Sequence, residues 1–313
     1  MRARLALVSV GMAVLLVFAL ALAPVDLREA ASYATGHPLE VVLALLAYTG
    51  AFVLRAASWR SLGGTRVPTA KLFTLLMGAL FLNHAAPAKA GDLARMYVLS
   101  RWGVSTAEAV VSVVLSRLVD LAGLLAVLVA SLALAGSGGW GGISFPLLIF
   151  AGMAAALFVL ARLRLPASFG VRFGVVGQYA GGAQAALRET RWANLLRSFA
   201  FAAPAWVLEA GILYVVGRGL GLGLSSAEVV AATCFAVLVA AVPLAPGNLG
   251  IYEAGMVAAL LVFGAPVESA FVAAVATHAM KLMYALAAAP FAFVEGLAAV
   301  RKERKPDEAG VKV

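Results

Sequence analysis

The sequence predicts an all-α polytopic membrane protein, with about six full spans and two re-entrant helical hairpins, or eight helices counted simply. Three observations predict it. Of 313 residues, 63% are hydrophobic and only 12% are charged, against about half and about a quarter in soluble domains. Apolar runs near the ~20 residues that a bilayer span needs recur along the chain. The basic residues cluster in those segments between runs that fall on one side. Mean hydropathy is +0.99, which excludes a soluble enzyme.

The elements follow in order. Residues 5–23 form an apolar run behind Arg2 and Arg4. A secretory signal has that shape, but the run is long for a signal core, so a retained first helix is expected. A second span covers 39–57. An apolar stretch at 72–86 ends at Pro87, and a semi-polar segment follows at 93–102. A long span at 107–135 leads into a glycine-rich loop at 136–142, and another span covers 145–163. Residues 164–197 are the most polar interior segment, with Arg172, Arg188, Arg191 and Arg197 beside Phe173 and Trp192. They are expected to lie along the membrane surface as an amphipathic stretch. A span at 198–217 comes next. Two apolar stretches, 228–245 and 251–263, flank a break that runs from Pro243 through Pro246 and Gly247 to Gly250. The last span is 267–293. The membrane domain is therefore 1–300, and 301–313 is a charged cytoplasmic tail.

Charge sets the orientation. The chain carries 24 Lys and Arg against 15 Asp and Glu, a formal charge of +9. In a soluble chain that would suggest nucleic-acid binding. Here it fits basic loops facing an anionic cytoplasmic leaflet, and no nucleic-acid partner is expected. The N-terminus, 59–71, 89–101, 162–197 and the tail hold 19 of the 24 basic residues. Placing these in the cytoplasm puts both termini inside and the protein in the cell membrane. Arg55 then marks the cytoplasmic end of its span, and Arg28 and Arg218 fall outside. Because 59–71 and 89–101 lie on one side, 72–86 has to enter and return. The broken stretch 228–263 likewise starts and ends outside.

Two segments share a pattern. A broken hairpin precedes Gly103, and a span carrying Arg117 and Asp120 follows. Another broken hairpin precedes Gly264, and a span carrying His278 and Lys281 follows. Gly103 to Arg117 and Gly264 to His278 are both 14 residues; Gly103 to Asp120 and Gly264 to Lys281 are both 17. Glu108 and Glu268 sit early in the two spans. The units, about 72–135 and 228–297, enter from opposite sides, so the expectation is an inverted repeat, a frequent plan in transporters. The competing explanation is chance similarity between Gly- and Ala-rich helices.

Non-helical backbone at membrane depth survives where it is buried in protein or faces a watery cavity. The breaks at Pro87–Gly91 and Pro243–Gly250 therefore point to a polar cavity whose helix N-termini favour an anion. The competing reading is that Pro and Gly merely kink two helices. Arg117 and Asp120 share a helix face at i, i+3. They either neutralise each other, or Arg117 holds a phosphate while Asp120 orients it or carries a proton. Lys281 has no adjacent acid, so Glu253 or Glu209 is its expected partner. His278 is a proton carrier or a hydrogen-bonded packing residue. Lys89, Asp92 and Arg95 receive a headgroup or form a solvated loop. Glu295 is expected at the interface.

No cofactor or metal is expected. Cys234 is the single cysteine, and His37, His84 and His278 match no ligand spacing. No P-loop, GxSxG or HExxH motif occurs, and the glycines at 217–223 follow a span rather than a strand. These residues name no catalytic group.

The two break segments resemble the transmembrane region of lysylphosphatidylglycerol synthases and the stand-alone flippase-like membrane proteins related to it. The resemblance rests on Pro87-Ala-Lys-Ala-Gly-Asp-Leu-Ala-Arg95, Leu115-Ser-Arg-Leu-Val-Asp120 and Pro246-Gly-Asn-Leu-Gly-Ile-Tyr-Glu253. The family pattern is P-x-K/R-x-G-E/D-x-x-R, an E-R-x-x-D-like element, then P-G-G-x-G-x-x-E. Pro87, Lys89, Gly91, Asp92, Arg95, Arg117, Asp120, Pro246, Gly247, Gly250 and Glu253 match it. Asn248 and Ser116 depart from it, standing where Gly and Glu are common. The resemblance covers about residues 1–300 and implies a protein that moves polar lipids or helps to make them. Its expected partners are anionic or phosphate-bearing membrane lipids, with a separate lipid synthase as a further candidate. The soluble aminoacyl-transfer domain of full-length synthases has no counterpart in these residues. Three functions remain open at this stage: a lipid flippase or transporter, a membrane-embedded lipid-modifying transferase, and a non-catalytic partner of a synthase.

Overall fold

A computed structural model describes residues 28–63, 67–85, 90–136, 190–241, 246–291 and 294. The expected helix at 5–23, the span at 145–163, residues 164–189, Pro87, Lys89, Pro243, Glu295 and the tail lie outside the described residues. Among the described residues the chain is helical and has no strand. The helices are α1 (Arg28–Gly36), α2 (Pro38–Ser61), α3 (Thr69–Ala85), α4 (Ala90–Arg101) and α5 (Thr106–Ala135), then α6 (Trp192–Glu209), α7 (Gly211–Gly219), α8 (Ser226–Val239), α9 (Ile251–Val262) and α10 (Val267–Ala287).

Among the described residues, four stretches are long and apolar enough to cross a membrane: Pro38–Ser61, Thr106–Ala135, Trp192–Gly219 and Val267–Phe291. At ~1.5 Å per residue, the 24 residues of α2 extend about 36 Å. Leu39, Val42, Leu43 and Leu46 remain exposed along α2, as suits a surface that meets lipid. The arms of the two broken stretches are shorter. The 14 residues of α8 reach about 21 Å, less than the ~30 Å hydrocarbon thickness.

Each long helix after a hairpin begins the same way. Gly103 has φ +91° and Gly264 φ +83°. The Val104 amide bonds the Leu99 carbonyl at 3.2 Å, and the Ala265 amide bonds Leu260 at 3.0 Å. Both are six-residue closures of the kind that ends a helix on a left-handed residue. Ser105 then caps α5 in a reciprocal pair with Glu108, which gives Glu108 a structural role. Ser225 and Glu228 cap α8 in the same manner.

Two expected boundaries change. Residues 72–86 do not turn back on themselves: α3 is one uninterrupted helix, and the returning arm is α4, packed against both α3 and α5. No proline falls between Leu72 and Ala85, and the one glycine there, Gly78, is buried within the helix and does not break it. Residues 192–197, expected on the membrane surface, open α6 instead. Arg191 is the extended cap, and its carbonyl accepts from Asn194 and Leu195.

Buried side chains fall into two main cores. One joins Tyr48, Phe52 and Trp59 of α2 to Leu72 and Leu76 of α3, Leu99 of α4 and Val111 of α5. The other joins Leu213 of α7, Ala232 of α8, Met256 and Leu260 of α9 and Ala273 of α10. Leu124, Leu125 and Leu128 of α5 meet Trp206 and Cys234 to link them.

Gly91 sets the closeness of the first hairpin. Its amide donates to Asn83 Oδ1 at 2.9 Å. A β-carbon there would overlap the Ala79 carbonyl and stand 2.8 Å from Asn83 Oδ1. Gly91→Ala should therefore destabilise the protein by about 1–3 kcal/mol through overpacking. Gly36→Ala, where a β-carbon meets nothing within 4 Å, should stay within about 0.5 kcal/mol. Unfolding of both variants in mild detergent checks the difference.

Candidate functional site

A row of four alternating charges is buried between α2, α5, α6 and α10. Arg55 of α2 donates from Nε to Asp120 of α5 at 3.1 Å and from Nη2 to Glu209 of α6 at 2.7 Å. Glu209 also accepts from Lys281 of α10 at 2.8 Å. The four side chains are 5–16% exposed. Two cations and two carboxylates leave the row neutral. A lone charge at mid-bilayer costs at least about 2.5–3.5 kcal/mol on insertion scales, so mutual neutralisation is what allows four such residues in apolar helices.

Aromatic rings complete the solvation of the cations. The Arg55 guanidinium lies 4.1 Å from the Trp206 ring centroid and 5.3 Å from that of Phe52. Trp206 is held in turn, because its Nε1–H donates to the Asp120 carbonyl at 2.9 Å. The Lys281 ammonium stands 5.0 Å from the Tyr252 ring and 5.7 Å from Tyr48. These faces supply negative quadrupole density where water is excluded.

Beside the row is a pocket lined by Arg55, Ser58, Trp59, Leu76, Arg95, Ser116, Arg117 and Asp120. At its edge, Asp92 sits in the first turn of α4. It accepts from Arg95 at 2.8 Å and from Arg117 at 2.7 Å, with Arg117 Nε 3.1 Å from both carboxylate oxygens. Burial raises the Asp92 carboxyl, but the Arg117 and Arg95 guanidiniums outweigh it and hold it below the ordinary carboxylate range. The Arg95 guanidinium lies 4.8 Å from the Trp59 ring centroid, and Ser112 fixes that ring through its Nε1–H at 2.7 Å. Arg95 is 2% exposed at its side chain, and its Nε has no acceptor. Leaving a buried donor unmatched costs about 1–3 kcal/mol. Arg117 is the open member of the set, 43% exposed at its side chain.

A third cluster lies at the second break. The Pro246–Asn248 segment makes one 3-10 turn, with φ of +62° at Gly247 and +58° at Asn248. Asn is among the few non-glycine residues that tolerate this region, so Asn248 meets the same backbone demand as a glycine. Gly247 packs against the end of α3: a β-carbon there would lie 3.3 Å from the His84 carbonyl. After the turn, Glu253 accepts from the Gly250 amide at 2.8 Å and from His278 Nδ1 at 2.7 Å. The Tyr252 and His278 rings are 4.6 Å apart.

Several expectations resolve here. Arg117 and Asp120 do not neutralise each other. Arg117 reaches Asp92 on α4, while Asp120 reaches Arg55 on α2, because a different neighbouring helix offers each a closer partner. Lys281 pairs with Glu209 and not with Glu253, whose carboxylate is already taken by Gly250 and His278. His278 is buried and hydrogen-bonded. Asp92 and Arg95 belong to a packed helix, so they are not a solvated loop. Arg55, read from sequence as a marker of its span's end, is instead the hub of the buried row. Its position inside the apolar run 39–57 was the signal that could have revealed it.

One regularity links the clusters. Asp92 and Arg117 are 25 residues apart, and so are Glu253 and His278. In both, an acid at the start of a returning arm meets a basic side chain on the following long helix. Arg55–Asp120 and Glu209–Lys281 each join a helix before a hairpin to the long helix after it, with the signs exchanged but with unequal separations of 65 and 72 residues.

The coupling along the row can be tested. Glu209→Gln leaves Arg55 with Asp120 but strands Lys281, and should cost about 3–5 kcal/mol. Adding Lys281→Met removes the stranded cation and should recover more than half of that loss. Unfolding in detergent reads both variants, and a double variant no more stable than the single one would mean that the charges act separately.

No curated relative matches the chain. The lysylphosphatidylglycerol synthase TM region matches over residues 3–289, which takes in α1 through α10 and every charged pair described above. The chain is an integral membrane protein and belongs to the family of the lysylphosphatidylglycerol synthase TM region.

Proposed function

We propose that the protein is a flippase or transporter for a polar lipid that bears a phosphate group. The observation that carries this reading is the arginine pocket beside a neutral buried row of charges. Ionisable groups within apolar spans mark substrate paths by default, since each one costs insertion energy. The row Asp120–Arg55–Glu209–Lys281 cancels internally. Arg95 and Arg117 outnumber Asp92 by one positive charge, and guanidinium forks suit phosphate oxygens.

The architecture in this reading is an inverted repeat. One unit is α3–α4–α5 and the other is α8–α9–α10, each preceded by a long helix that supplies Arg55 or Glu209. Three things support it: the matching helix ends at Gly103 and Gly264, the equal 25-residue acid–cation spacing, and the two sign-exchanged pairs. The Arg55–Glu209 bond joins the two helices that precede the units. Alternating access in such folds comes from one unit rocking against the other. The basic-residue bias supports cytoplasmic termini and a place in the cell membrane.

The test is transport in proteoliposomes carrying a fluorescent phosphatidylglycerol or a labelled polyprenyl phosphate. The expected result is movement well above protein-free vesicles, with Arg117→Ala at least tenfold slower while its gel-filtration profile and melting stay unchanged. Absence of transport across several lipid classes would sink the proposal. An active Arg117→Ala would remove that residue from the path.

A further inference from the structure

We propose that Asp92 is a resident counter-anion of the arginine pocket: its carboxylate holds the place of a phosphodiester on Arg117, and the incoming phosphodiester displaces it. This inference rests on the reading of the pocket as a lipid-phosphate site and assigns the chemical class of its ligand.

The geometry of the pair is the first argument. Arg117 grips Asp92 through Nη2 at 2.7 Å and through Nε to both oxygens at 3.1 Å. That fork is the one a guanidinium presents to two phosphate oxygens. The carboxylate therefore fills a place that a phosphate fits.

The second argument is the unequal shielding of the two arginines. Arg95 is 2% exposed and Arg117 is 43% exposed. An anion arriving from outside meets Arg117 first. An exposed ion pair is cheap to exchange, whereas the shielded Arg95–Asp92 bond is not. Asp92 can then release Arg117 and still keep Arg95 as its partner, so displacement strands no carboxylate.

The third argument is the unmet donor. Arg95 Nε is buried in the pocket wall without an acceptor. Buried polar groups in proteins find partners in the great majority of cases, and an oxyanion beside Arg117 would bring an acceptor to this wall.

Charge balance then selects the class. Asp92 stands against Arg95 and Arg117, one positive charge in excess, and the neighbouring row is neutral. A phosphodiester carries one negative charge and brings the pocket to neutrality. A phosphomonoester carries nearly two at neutral pH and would leave a net negative charge against Asp92 and Asp120.

The experiment titrates the purified full-length protein in detergent with short-chain phosphatidylglycerol, with water-soluble glycerophosphoglycerol, with inorganic phosphate and with diacylglycerol. Tryptophan fluorescence is the signal, since Trp59 lines the pocket. Phosphatidylglycerol should bind more tightly than inorganic phosphate, and diacylglycerol should not compete with it. Glycerophosphoglycerol binding as tightly as the lipid would assign the site to a free phosphodiester; weaker binding assigns it to a lipid headgroup. Equal or tighter binding of inorganic phosphate overturns the class assignment. Asp92→Asn should bind the phosphodiester about tenfold more tightly, Asp92→Glu about as wild type, and Arg117→Gln at least tenfold more weakly.

A second readout needs no variant. In the wild-type protein, saturating phosphatidylglycerol should increase carbodiimide-driven amine labelling of the Asp92 carboxyl, read by peptide mass spectrometry. Unchanged or reduced labelling overturns the displacement. So does an Asp92→Asn that binds no more tightly while Arg117→Gln is weak, and the phosphate site then stands without it. If the lipid is transported but neither variant alters its binding, the pocket is not the site and this inference fails while the transport function survives. Neither binding nor transport removes both.

Discussion

The Arg55 guanidinium is the point on which the centre of this protein depends. It bonds Asp120 on one side and Glu209 on the other, and so ties α2 to both α5 and α6. Without it, two carboxylates would face each other in a low-dielectric interior. Lys281 extends the row to α10. The helices that contribute these residues are apolar and expose leucines and valines along their outer faces. Lipid outside and ions inside are compatible because each charge is matched within hydrogen-bond distance. Stacking of Trp206 on Arg55 and of Tyr252 near Lys281 replaces part of the lost hydration.

The backbone breaks serve this arrangement. Gly91 lets α4 return tightly along α3, and the turn at Gly247 and Asn248 seats the second break against the end of α3. Each returning arm starts with a carboxylate, Asp92 or Glu253, that reaches a basic side chain on the next long helix. Asp92 meets a permanent cation in Arg117. Glu253 meets His278, whose charge depends on its proton. The same placement of an acid thus yields an arginine ion pair in one half and a carboxylate–imidazole hydrogen bond in the other.

Much of this was legible in the residues, and some was not. The helical class, the long helices and the i, i+3 polar pairs followed from hydropathy and from the placement of Pro and Gly. The motif order also carried the family resemblance, which the match over residues 3–289 bears out. Partner choice was less legible. Arg117 and Asp120 look like natural partners on one helix, yet α4 and α2 each present a better-placed group. The candidates for Lys281 were Glu209 and Glu253, and the choice fell to whichever acid remained free. Arg55 was misread because a position near the end of a run resembles an interfacial anchor. The return of the first hairpin through α4 was also hidden, since Asp92, Arg95 and Arg101 make that segment look like a surface loop.

By itself, the sequence determined that this chain enters a membrane as helices. That follows from a sum over residues: transfer of apolar side chains is favourable wherever they end up, and backbone groups in lipid must bond within their own helix. The matching of charges was decided by the tertiary structure alone. An ion pair depends on separation and on what surrounds it, and those are properties of which helix faces meet. Arg55, Asp120, Glu209 and Lys281 are scattered over 227 positions of the chain, from 55 to 281; packing brings them into one row.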